Sequence, residues 1–596
     1  MVSKKVLEHL IDHLVDQEIN TFFLVTGGAI VPTIDYIGRK EGAEYYCFQH
    51  EQSAAMAAEG YYRTTGKIGA VLSTSGPGAQ NLLNGICGCW YESVPCVFIT
   101  GQVSTYESLT SVSTKPRQVG FQEMPVAESF SHFTKFATRL ETGDSLEKAL
   151  NRTLFELKTG RPGPVLLDIP VNTQNEIIPE FTLTEPIKLH TPNIDSVLET
   201  INSKLKNSQR PLLLLGHGVR LSGAKDSVKL LVEKLNIPFV VSWGGFDLLP
   251  HSHPLFVGDI GVYGSRGGNF AVQNCDMLIS IGSRLDTRQT GGNLQTFSRE
   301  SYKVMVDIDY NEVYKDRGLE IDLPIVSDAK WFIESWLNNL PQTINSWEEH
   351  TNKYKTLQLD NRPLKDGILT SYEFLEELNN HLPDDAIIIP DEGGHLVWSM
   401  QSIKPKGTQR MFSNFGNSSM GYGLPSAIGA AIGNTGPVIC IDGDGGFQMN
   451  IQELQTIKHY NLPVKIFIMN NNCYGIIKQF QDSYFDSRYT ATESQDYTAP
   501  DFVRVAEAYG IKAVTATKDN YKDILNLAMQ EEGSILINVI IDKEQKLTPK
   551  LEFGNPLEDM SPYLTDKQIK ENMVIDMIPR IDNSQGWVTL KKNKLN

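Results

Sequence analysis

Two polar turns end two consecutive apolar runs, and this arrangement constrains the fold more than any other feature. The run "PVICI" leads into "GDGG" (443–446), and "VKIFIM" leads into "NNN" (470–472). Between them, "MNIQELQTIKHY" has apolar residues at helical spacing. The pattern predicts a βαβ unit. Its two parallel strands would bring both polar turns to the same edge of a sheet, where ligands usually bind.

Asp444 and Asn471 are the residues that carry chemistry in these turns. A carboxylate alone repels phosphate, but a divalent cation binds aspartate and asparagine oxygens and keeps positions free for phosphate oxygens. Gly445 and Gly446 open a helix whose first N–H groups face the same anion. The stretch lacks the lysine and hydroxyl residue that end a P-loop. It therefore predicts a site for magnesium and a diphosphate, although a "GDG" alone is more often a plain turn.

Composition limits the class of protein. A chain of 596 residues exceeds one hydrophobic core, so two to four domains are expected. The net charge of −17 argues against nucleic acid or an anionic membrane as partner. We find no run of 18 apolar residues, which predicts no membrane span. Seven scattered cysteines indicate reduced thiols and a cytoplasmic protein, and the amphipathic N-terminus lacks the apolar core of a signal peptide.

Strand and helix signals alternate in three sets, which predicts an α/β fold of three doubly wound parallel-sheet domains. The predicted domains are 1–175, 190–340 and 368–545, followed by a polar tail at 546–596. The linkers between them are proline-rich or polar.

A glutamate opens a helix of small residues in "FQHEQSAAMAAEGYYR" (48–63). In one interpretation, Glu51 is simply favoured by the helix dipole. In the other, a buried carboxylate hydrogen-bonds the pyrimidine N1′ of thiamine and promotes the imino tautomer that removes the thiazolium C2 proton. The alanines after Glu51 would allow the close helix packing that buries it.

Further motifs support the second interpretation. "VTGGAIVP", "HEQSAAMAAEGYYRTTGKIGAVLSTSGPGAQNLLNGI", "GFQE", "GRPGPVLLDIP", "GSRLDTRQTG", "MGYGLPSAIGAAIGN" and "IDGDGGFQMNIQEL" follow one another along the chain. In these motifs the chain resembles the acetohydroxyacid (acetolactate) synthase catalytic subunits, a family of thiamine diphosphate enzymes. The resemblance implies pyrimidine-binding, central and diphosphate-binding domains.

The resemblance also implies roles for single residues. Glu51 corresponds to the activating glutamate, and Gly28 lies in the turn that presents backbone N–H to the substrate. Met420 corresponds to the residue that wedges between the cofactor rings. Gly394 stands where the family commonly has glutamine. The implied magnesium ligands are Asp444, Asn471 and the carbonyl group of Cys473. The other implied thiamine diphosphate positions are Pro77, Asn81, His395, Ser418, Gly443, Gly445, Gly446, Tyr474, Gly475 and Ile476.

The implied substrate-side residues are Phe121, Gln122, Lys135 and Phe480. Phe121, Gln122 and Lys135 could instead be residues of solvated loops. Phe480 stands where the biosynthetic family usually has tryptophan, whose indole packs on the extra methyl group of 2-oxobutyrate. The smaller ring predicts that 2-oxobutyrate is not favoured over pyruvate as acceptor, unless Phe480 is simply packed by a neighbour.

Glycine turns after two strands of the second set, "LGHGV" (215–219) and "GSRLDTRQTG" (282–291), are candidate nucleotide contacts. In isolation, strand-end turns with salt-bridged arginines would explain them. The resemblance implies bound FAD, although the reaction is not redox, and His217 and Tyr263 depart from common family choices. The implied contacts are Arg161, Gly216, His217, Gly218, Tyr263, Gly264, Gly282, Arg284, Asp286, Arg288, Asp307 and Ile308.

The expected activity is decarboxylation of pyruvate, with transfer of the acetyl unit to a second carbonyl substrate. Acetolactate formation is the first choice. The ending "LTPKLEFGNPLEDMSPYL" departs from the family, which keeps open a nucleotide-linked keto-sugar or other bulky ketone as acceptor. A simple decarboxylase, a sulfoacetaldehyde-type lyase and a non-catalytic cofactor-binding scaffold are the remaining alternatives. The resemblance implies a homodimer or homotetramer, and the sequence does not identify a regulatory subunit.

Overall fold

The chain folds around three parallel sheets. The computed structural model describes residues 3–184, 193–342, 344–357, 366–434, 436–493 and 495–578. Parts of both predicted linkers and the last residues of the predicted tail lie outside these ranges. Each sheet has six strands, all parallel. The predicted α/β class with three doubly wound sheets is confirmed.

The first sheet lies in the N-terminal part. Its strands, in spatial order, are Glu44–Cys47, Thr21–Leu24, Ala70–Ser73, Val97–Gln102, Val165–Pro170 and Phe136–Arg139. Its central strands are buried along their whole length because helices cover both faces. These helices are Val6–Asp16, Val31–Ile37, Glu51–Thr65, Pro77–Asn81, Leu83–Glu92, Val126–Phe130, Leu146–Lys158 and Val171–Gln174. A short antiparallel pair, Ser3–Lys5 and Ile177–Pro179, closes this part.

The second sheet forms the middle domain. Its strands, in spatial order, are Phe256–Asp259, Phe239–Val241, Pro211–Leu215, Met277–Ile281, Tyr302–Asp307 and Leu323–Val326. Its helices are Asp195–Asn207, His217–Leu221, Lys225–Leu235, Arg266–Asn274, Thr287–Thr290, Tyr310–Val313, Ala329–Leu337 and Glu348–Thr356.

The third sheet contains the βαβ unit that the two polar turns predict. Its strands, in spatial order, are Arg410–Met411, Ile387–Pro390, Val438–Gly443, Val464–Asn470, Ile535–Ile540 and Lys512–Ala516. Its helices are Ser371–His381, Gly394–Ser402, Gly423–Gly433, Asp444–Phe447, Leu454–Tyr460, Gly475–Tyr484, Phe502–Ala508 and Tyr521–Gln530.

The helix expected over "MNIQELQTIKHY" is shorter than the pattern suggests. The α-helix begins only at Leu454, after a turn of 3₁₀-helix, Ile451–Glu453. Asn450 explains the interruption, because its amide donates to the carbonyl of Gly421 at 2.7 Å and its oxygen accepts from Ser53 at 3.1 Å. Tertiary hydrogen bonds thus override the local helical period.

Two helices of small residues join the first and third sheets. Helix Glu51–Thr65 packs along helix Gly423–Gly433 so closely that a side chain at Gly429 would overlap the carbonyl of Ala57. A side chain at Gly60 would overlap the backbone of Ser426 in the same way. This contact fixes the N-terminal end of helix Glu51–Thr65 relative to the C-terminal sheet.

The end of the described chain packs back onto the middle domain. A short antiparallel pair, Lys550–Leu551 and Met560–Ser561, is followed by helix Asp566–Asn572. The amide of Asn274 donates to the carbonyl of Asn572 at 3.0 Å.

Candidate active site

Three oxygen atoms converge at the edge of the third sheet. Strand Val438–Gly443 pairs with Val464–Asn470 in a register that sets Gly443 opposite Met469, so the turns after both strands are adjacent. The amide oxygen of Asn471 lies 2.9 Å from the carbonyl oxygen of Cys473 and 3.3 Å from Asp444 Oδ1. Rotating the amide would turn this contact into hydrogen bonds, but three converging acceptors are also what a hard divalent cation requires.

The surroundings of Asp444 favour a bound cation over rotation of the Asn471 amide as the explanation of this contact. Its second oxygen, Oδ2, is buried and has no hydrogen-bond partner among the described residues. Burial raises the pKa of Asp444 to about 7, and a hydrogen bond from Tyr497 acts in the opposite direction. A bound cation would stabilise the ionised carboxylate at neutral pH. The donor set therefore fits magnesium, with ligands from Asp444, Asn471 and Cys473.

A cleft with about 980 Å³ of space, partly open to solvent, lies beside these oxygens. The described residues that line it belong to the middle and C-terminal domains. Thirteen of them are positions that the sequence analysis assigned to thiamine diphosphate: Gly394, His395, Ser418, Met420, Gly443, Asp444, Gly445, Gly446, Asn471, Cys473, Tyr474, Gly475 and Ile476. Sequence reasoning did not assign to this site the lining residues Glu392, Gly393, Leu396, Val397, Trp398, Met469 and Ile477. Met469 ends the apolar run "VKIFIM", and Glu392 and Gly393 directly precede the predicted positions Gly394 and His395. None of the quoted motifs contains Leu396, Val397, Trp398 or Ile477.

Glu51 lies in the N-terminal domain, at the first position of helix Glu51–Thr65. Its side chain is 9% exposed, and Asn81 Nδ2 donates to Glu51 Oε2 at 2.9 Å. Gly78 lies against Oε1, where a side chain would meet the carboxylate. Pro77 begins the helix that carries Asn81. The structure thus brings Glu51, Pro77 and Asn81 together, and none of the three lines the diphosphate cleft.

The substrate-side residues lie in different surroundings. Phe121 is 85% exposed, and Gln122 adopts a left-handed backbone with φ of 62° and rests against Gly76. No described atom would lie within 4 Å of a side chain at Gly28, so the "GGA" turn has open space beside it. Phe121, Gln122 and Gly28 therefore lie at the surface of the N-terminal domain, where a substrate could contact them.

The side chain of Lys135 makes its polar contacts within the N-terminal domain. Its ammonium group donates to the carbonyl of Glu156 at 2.5 Å and to that of Thr159 at 2.7 Å, and Glu156 Oε2 lies 3.4 Å away. Burial lowers the pKa of Lys135. These contacts are typical of a lysine with a structural role, and they favour that role over binding of substrate.

Phe480 belongs to an aromatic cluster on helix Gly475–Tyr484. Its ring centroid lies 4.9 Å from that of Tyr484 and 5.8 Å from that of Phe553, which the C-terminal tail contributes. The tail therefore supplies a ring next to the position that the family usually fills with tryptophan.

A second cleft, with about 1190 Å³ of space partly open to solvent, lies between the middle domain and parts of the other two. It is lined by ten of the twelve positions that the sequence analysis assigned to FAD: Arg161, His217, Gly218, Tyr263, Gly282, Arg284, Asp286, Arg288, Asp307 and Ile308. Gly216 lies behind this lining, where a side chain would overlap Gly282. Gly264 instead lines a neighbouring cleft beside Asp259 and Arg266.

The arginines of the second cleft differ in how they are paired. Arg161 donates to Asp309 at 3.0 Å and to Glu312 at 2.8 Å, and Arg284 contacts Asp286 at 3.2 Å. By contrast, Arg288 Nη1 is buried without a hydrogen-bond partner among the described residues, and its guanidinium lies 5.0 Å from the ring centroid of Trp243. An unpaired buried guanidinium nitrogen fits an anionic group such as a phosphate. Arg288 and Tyr263 line both clefts.

Comparison with known proteins assigns the class. Three family models match the chain: the N-terminal TPP binding domain of thiamine pyrophosphate enzymes at residues 4–129, their central domain at 198–336, and their C-terminal TPP binding domain at 391–539. Each model covers most of one sheet and its helices. The fold and the two halves of the site thus define a thiamine diphosphate-dependent enzyme.

Known relatives narrow this class. The acetolactate synthase isozyme 2 large subunit of Escherichia coli (strain K12) is 33% identical over 558 residues, covering 92% of this chain and 98% of the relative. The acetolactate synthase large subunit of Pyropia yezoensis is 34% identical over 564 residues, covering 91% of this chain and 93% of the relative. The probable acetolactate synthase large subunit of Methanocaldococcus jannaschii is 32% identical over 590 residues, covering 95% of this chain and 96% of the relative. The chain belongs to the acetolactate synthase large-subunit family, which confirms the resemblance seen in the motifs.

Two global properties bear on earlier expectations. Within the described part of the chain, none of the helices combines the length and apolar character that a membrane crossing needs. All seven cysteines fall in that part and are free thiols.

Proposed function

We propose that this enzyme decarboxylates pyruvate and transfers the acetyl unit to a carbonyl acceptor, with thiamine diphosphate and magnesium as cofactors. The observation that carries the proposal is the convergence of oxygens from Asp444, Asn471 and Cys473 beside a cleft that also contains Met420. The names of the relatives, which are acetolactate synthases, support pyruvate as donor and as first-choice acceptor.

The side chains divide the work around the cofactor. Thiamine diphosphate, when bound, supplies the nucleophilic carbon and the electron sink that decarboxylation of a 2-oxoacid needs. Asp444, Asn471 and Cys473 would hold the cation that neutralises the diphosphate. Glu51 would hold a proton at pyrimidine N1′, and the hydrogen bond from Asn81 fixes the orientation of its carboxylate. No lysine or serine nucleophile is required.

Product analysis tests the reaction. The protein is incubated with pyruvate, thiamine diphosphate and magnesium, and the products are separated by chromatography. We expect acetolactate and carbon dioxide. Acetaldehyde alone would identify a simple decarboxylase, and absence of any product from pyruvate would contradict the proposal.

A bulky ketone, such as a nucleotide-linked keto-sugar, is the second candidate acceptor. The favouring observation is the aromatic cluster of Phe480, Tyr484 and Phe553, in which a tail residue packs on the helix whose first residues line the cleft. None of the three rings lines the cleft itself. This cluster differs from the tryptophan that the family usually has at position 480. A product of mass corresponding to ketone plus acetyl, formed faster than acetolactate, would establish this alternative.

We also infer that the second cleft binds FAD in a structural role. The unpaired Arg288 Nη1 and the close-packed glycine turns at Gly216 and Gly282 support a phosphate-bearing ligand. The test is the visible absorbance of the purified protein, followed by uptake of added FAD measured by fluorescence quenching. Arg288→Gln should weaken uptake, and Arg504→Gln, at an exposed site of the C-terminal domain, is the matched control. No flavin absorbance and no uptake would overturn the assignment.

The active unit in this proposal is at least a homodimer. The described residues lining the diphosphate cleft come from the middle and C-terminal domains, whereas Glu51 and Asn81, in the N-terminal domain, do not line it. We propose that Glu51 of one chain faces the diphosphate cleft of another. The free thiols are in keeping with a cytoplasmic enzyme.

A further inference from the structure

Two neighbouring carboxylates follow strand Ile387–Pro390 and contact the loop at 413–423, which carries Met420. The backbone N–H of Gly421 donates to Asp391 Oδ2 at 3.0 Å, and that of Gly423 donates to Asp391 Oδ1 at 2.8 Å. The hydroxyl of Ser418 donates to Glu392 Oε2 at 2.8 Å. The carboxylates therefore hold the loop at positions on both sides of Met420.

The N-terminal domain holds the opposite side of the same loop. Asn417 Nδ2 donates to Asn84 Oδ1 at 2.9 Å, and the hydroxyl of Ser419 donates to that same oxygen at 2.7 Å. Ser418 lies between these two residues, yet its side chain points to Glu392 instead. Met420 is thus placed by contacts from two domains.

The backbone of Ser418 is strained in this loop. Its φ of 59° lies in the left-handed region, which a serine occupies only where surrounding contacts determine it. Its N–H donates to the carbonyl of Asn414 at 2.8 Å, and its hydroxyl donates to Glu392. The side-chain bond to Glu392 is the contact that a single substitution can remove without changing the backbone.

Glu392 is a costly residue to place here. It is 4% exposed and lines the diphosphate cleft, and burial raises its pKa to about 7 even though the positive charge of Arg288 acts in the opposite direction. A buried carboxyl group needs hydrogen bonds to offset its desolvation. The loop hydroxyl provides one.

We propose that Glu392 is a positioning residue that holds Met420 against the cofactor through its hydrogen bond with Ser418. This inference rests on the proposed function, because Met420 would wedge between the rings of thiamine diphosphate. Glu392 itself does not act on the substrate. Its effect passes through Ser418 and two residues of backbone to the methionine side chain.

A double-mutant cycle tests the pathway. Glu392→Ala and Ser418→Ala both remove the Ser418–Glu392 hydrogen bond, and Glu392→Ala also removes the contact of the Ser413 hydroxyl with Glu392 Oε1 at 3.5 Å. Ser418→Ala should lower kcat by about 10-fold, the size of one buried hydrogen bond, and Glu392→Ala by at least as much. The double variant should be no worse than Glu392→Ala alone. Glu392→Gln keeps an acceptor oxygen for Ser418 and should retain kcat within about threefold of the wild type. Glu507→Ala, an exposed glutamate of the same domain, is the control and should not change kcat.

Two measurements do not depend on turnover. In the cofactor-free protein, backbone hydrogen exchange of a peptide spanning 413–422 should be faster in Glu392→Ala and Ser418→Ala than in the wild type or in Glu392→Gln. In the presence of magnesium, calorimetric titration should show weaker binding of thiamine diphosphate to the two alanine variants, because the loop must be ordered on binding. The exchange measurement also separates this proposal from the proposed function, since it remains informative if the wild type forms no product from pyruvate.

Three results would show that Glu392 does not position Met420 through Ser418. Unchanged exchange in Glu392→Ala, or additive effects of the two alanine substitutions, would overturn the proposal. A Glu392→Gln variant as impaired as Glu392→Ala would also overturn it, because the charge would then matter instead of the hydrogen bond. Ser418→Ala, at an exposed residue, keeps the test valid if Glu392→Ala does not fold.

Discussion

At the scale of single residues, Glu51 provides the sharpest test of the chemistry. Its carboxylate is buried at a helix start and receives a hydrogen bond from Asn81, a geometry suited to hold a proton on a pyrimidine nitrogen. Glu51→Gln should preserve the fold and cofactor binding and lower kcat by on the order of 100-fold or more. Steady-state kinetics with Glu41→Gln, an exposed site, as control would measure this. Turnover near the wild-type level would remove Glu51 from the mechanism.

Asp444 tests the metal half of the site. Asp444→Ala removes one of three converging oxygens, so the diphosphate would lose the cation that neutralises it. We expect thiamine diphosphate binding to be abolished in calorimetric titrations with magnesium, while Asp519→Ala, at an exposed position of the same domain, should bind normally. Equal cofactor affinity of the wild type with magnesium and with a chelator would contradict this prediction.

At the scale of elements, the helix Gly475–Tyr484 joins the cleft to the tail. Phenylalanine at position 480 is smaller than tryptophan, and the loss of contact with one methyl group would be worth roughly 1 kcal/mol, or a few-fold in selectivity. In a competition of equal pyruvate and 2-oxobutyrate, we expect no excess of acetohydroxybutyrate over acetolactate. Phe480→Trp should shift the ratio a few-fold towards acetohydroxybutyrate. A strong excess in the wild type would mean that another group, such as Phe553, already fills this space.

The elements also show what a sequence can and cannot predict. The strands Val438–Gly443 and Val464–Asn470 follow from apolar runs, and the proximity of their polar turns follows from parallel pairing. The start of helix Leu454–Tyr460 does not follow, because Asn450 bonds to residues distant in the chain. Glu392 was missed for the same reason: its role depends on Ser418, and no local pattern predicts that contact.

At the scale of the whole molecule, a buried ion pair joins the middle and C-terminal domains. Asp247 accepts from Arg220 at 2.7 Å and from Arg410, and the N–H of Met411 donates to it at 2.8 Å. Burial would raise the pKa of Asp247, but the two arginines outweigh it and hold the pKa at about 2. A lowered pKa contributes stability above the unfolded value near 4 that is lost as pH falls towards 2.

This ion pair gives a prediction about pH. The difference in Tm between the wild type and Asp247→Asn should be largest at neutral pH and should shrink as the pH is lowered from about 4 towards 2. Differential scanning fluorimetry over that range measures it, with Asp384→Asn, an exposed site, as control. A difference in Tm that stays constant with pH would show that folding does not lower the pKa of Asp247.

Assembly of the active site from two chains makes the strongest whole-molecule prediction. If Glu51 acts on the cofactor held by another chain, a Glu51→Gln chain paired with an Asp444→Ala chain contains one site with both substitutions and one site with neither. Random pairing makes half of the dimers mixed, and each mixed dimer has one intact site of two, so the mixture should recover about one quarter of wild-type activity. If both residues served the cofactor of the same chain, every site in the mixture would lack one of them, and activity would stay at the level of the separate variants. The two variants would be co-expressed with different tags, the mixed dimers isolated on both tags in turn, and their kcat compared with those of the parent homodimers. A doubly tagged dimer without activity would place Glu51 and Asp444 in one site of one chain, whereas about half of the wild-type kcat in that dimer is the result we expect.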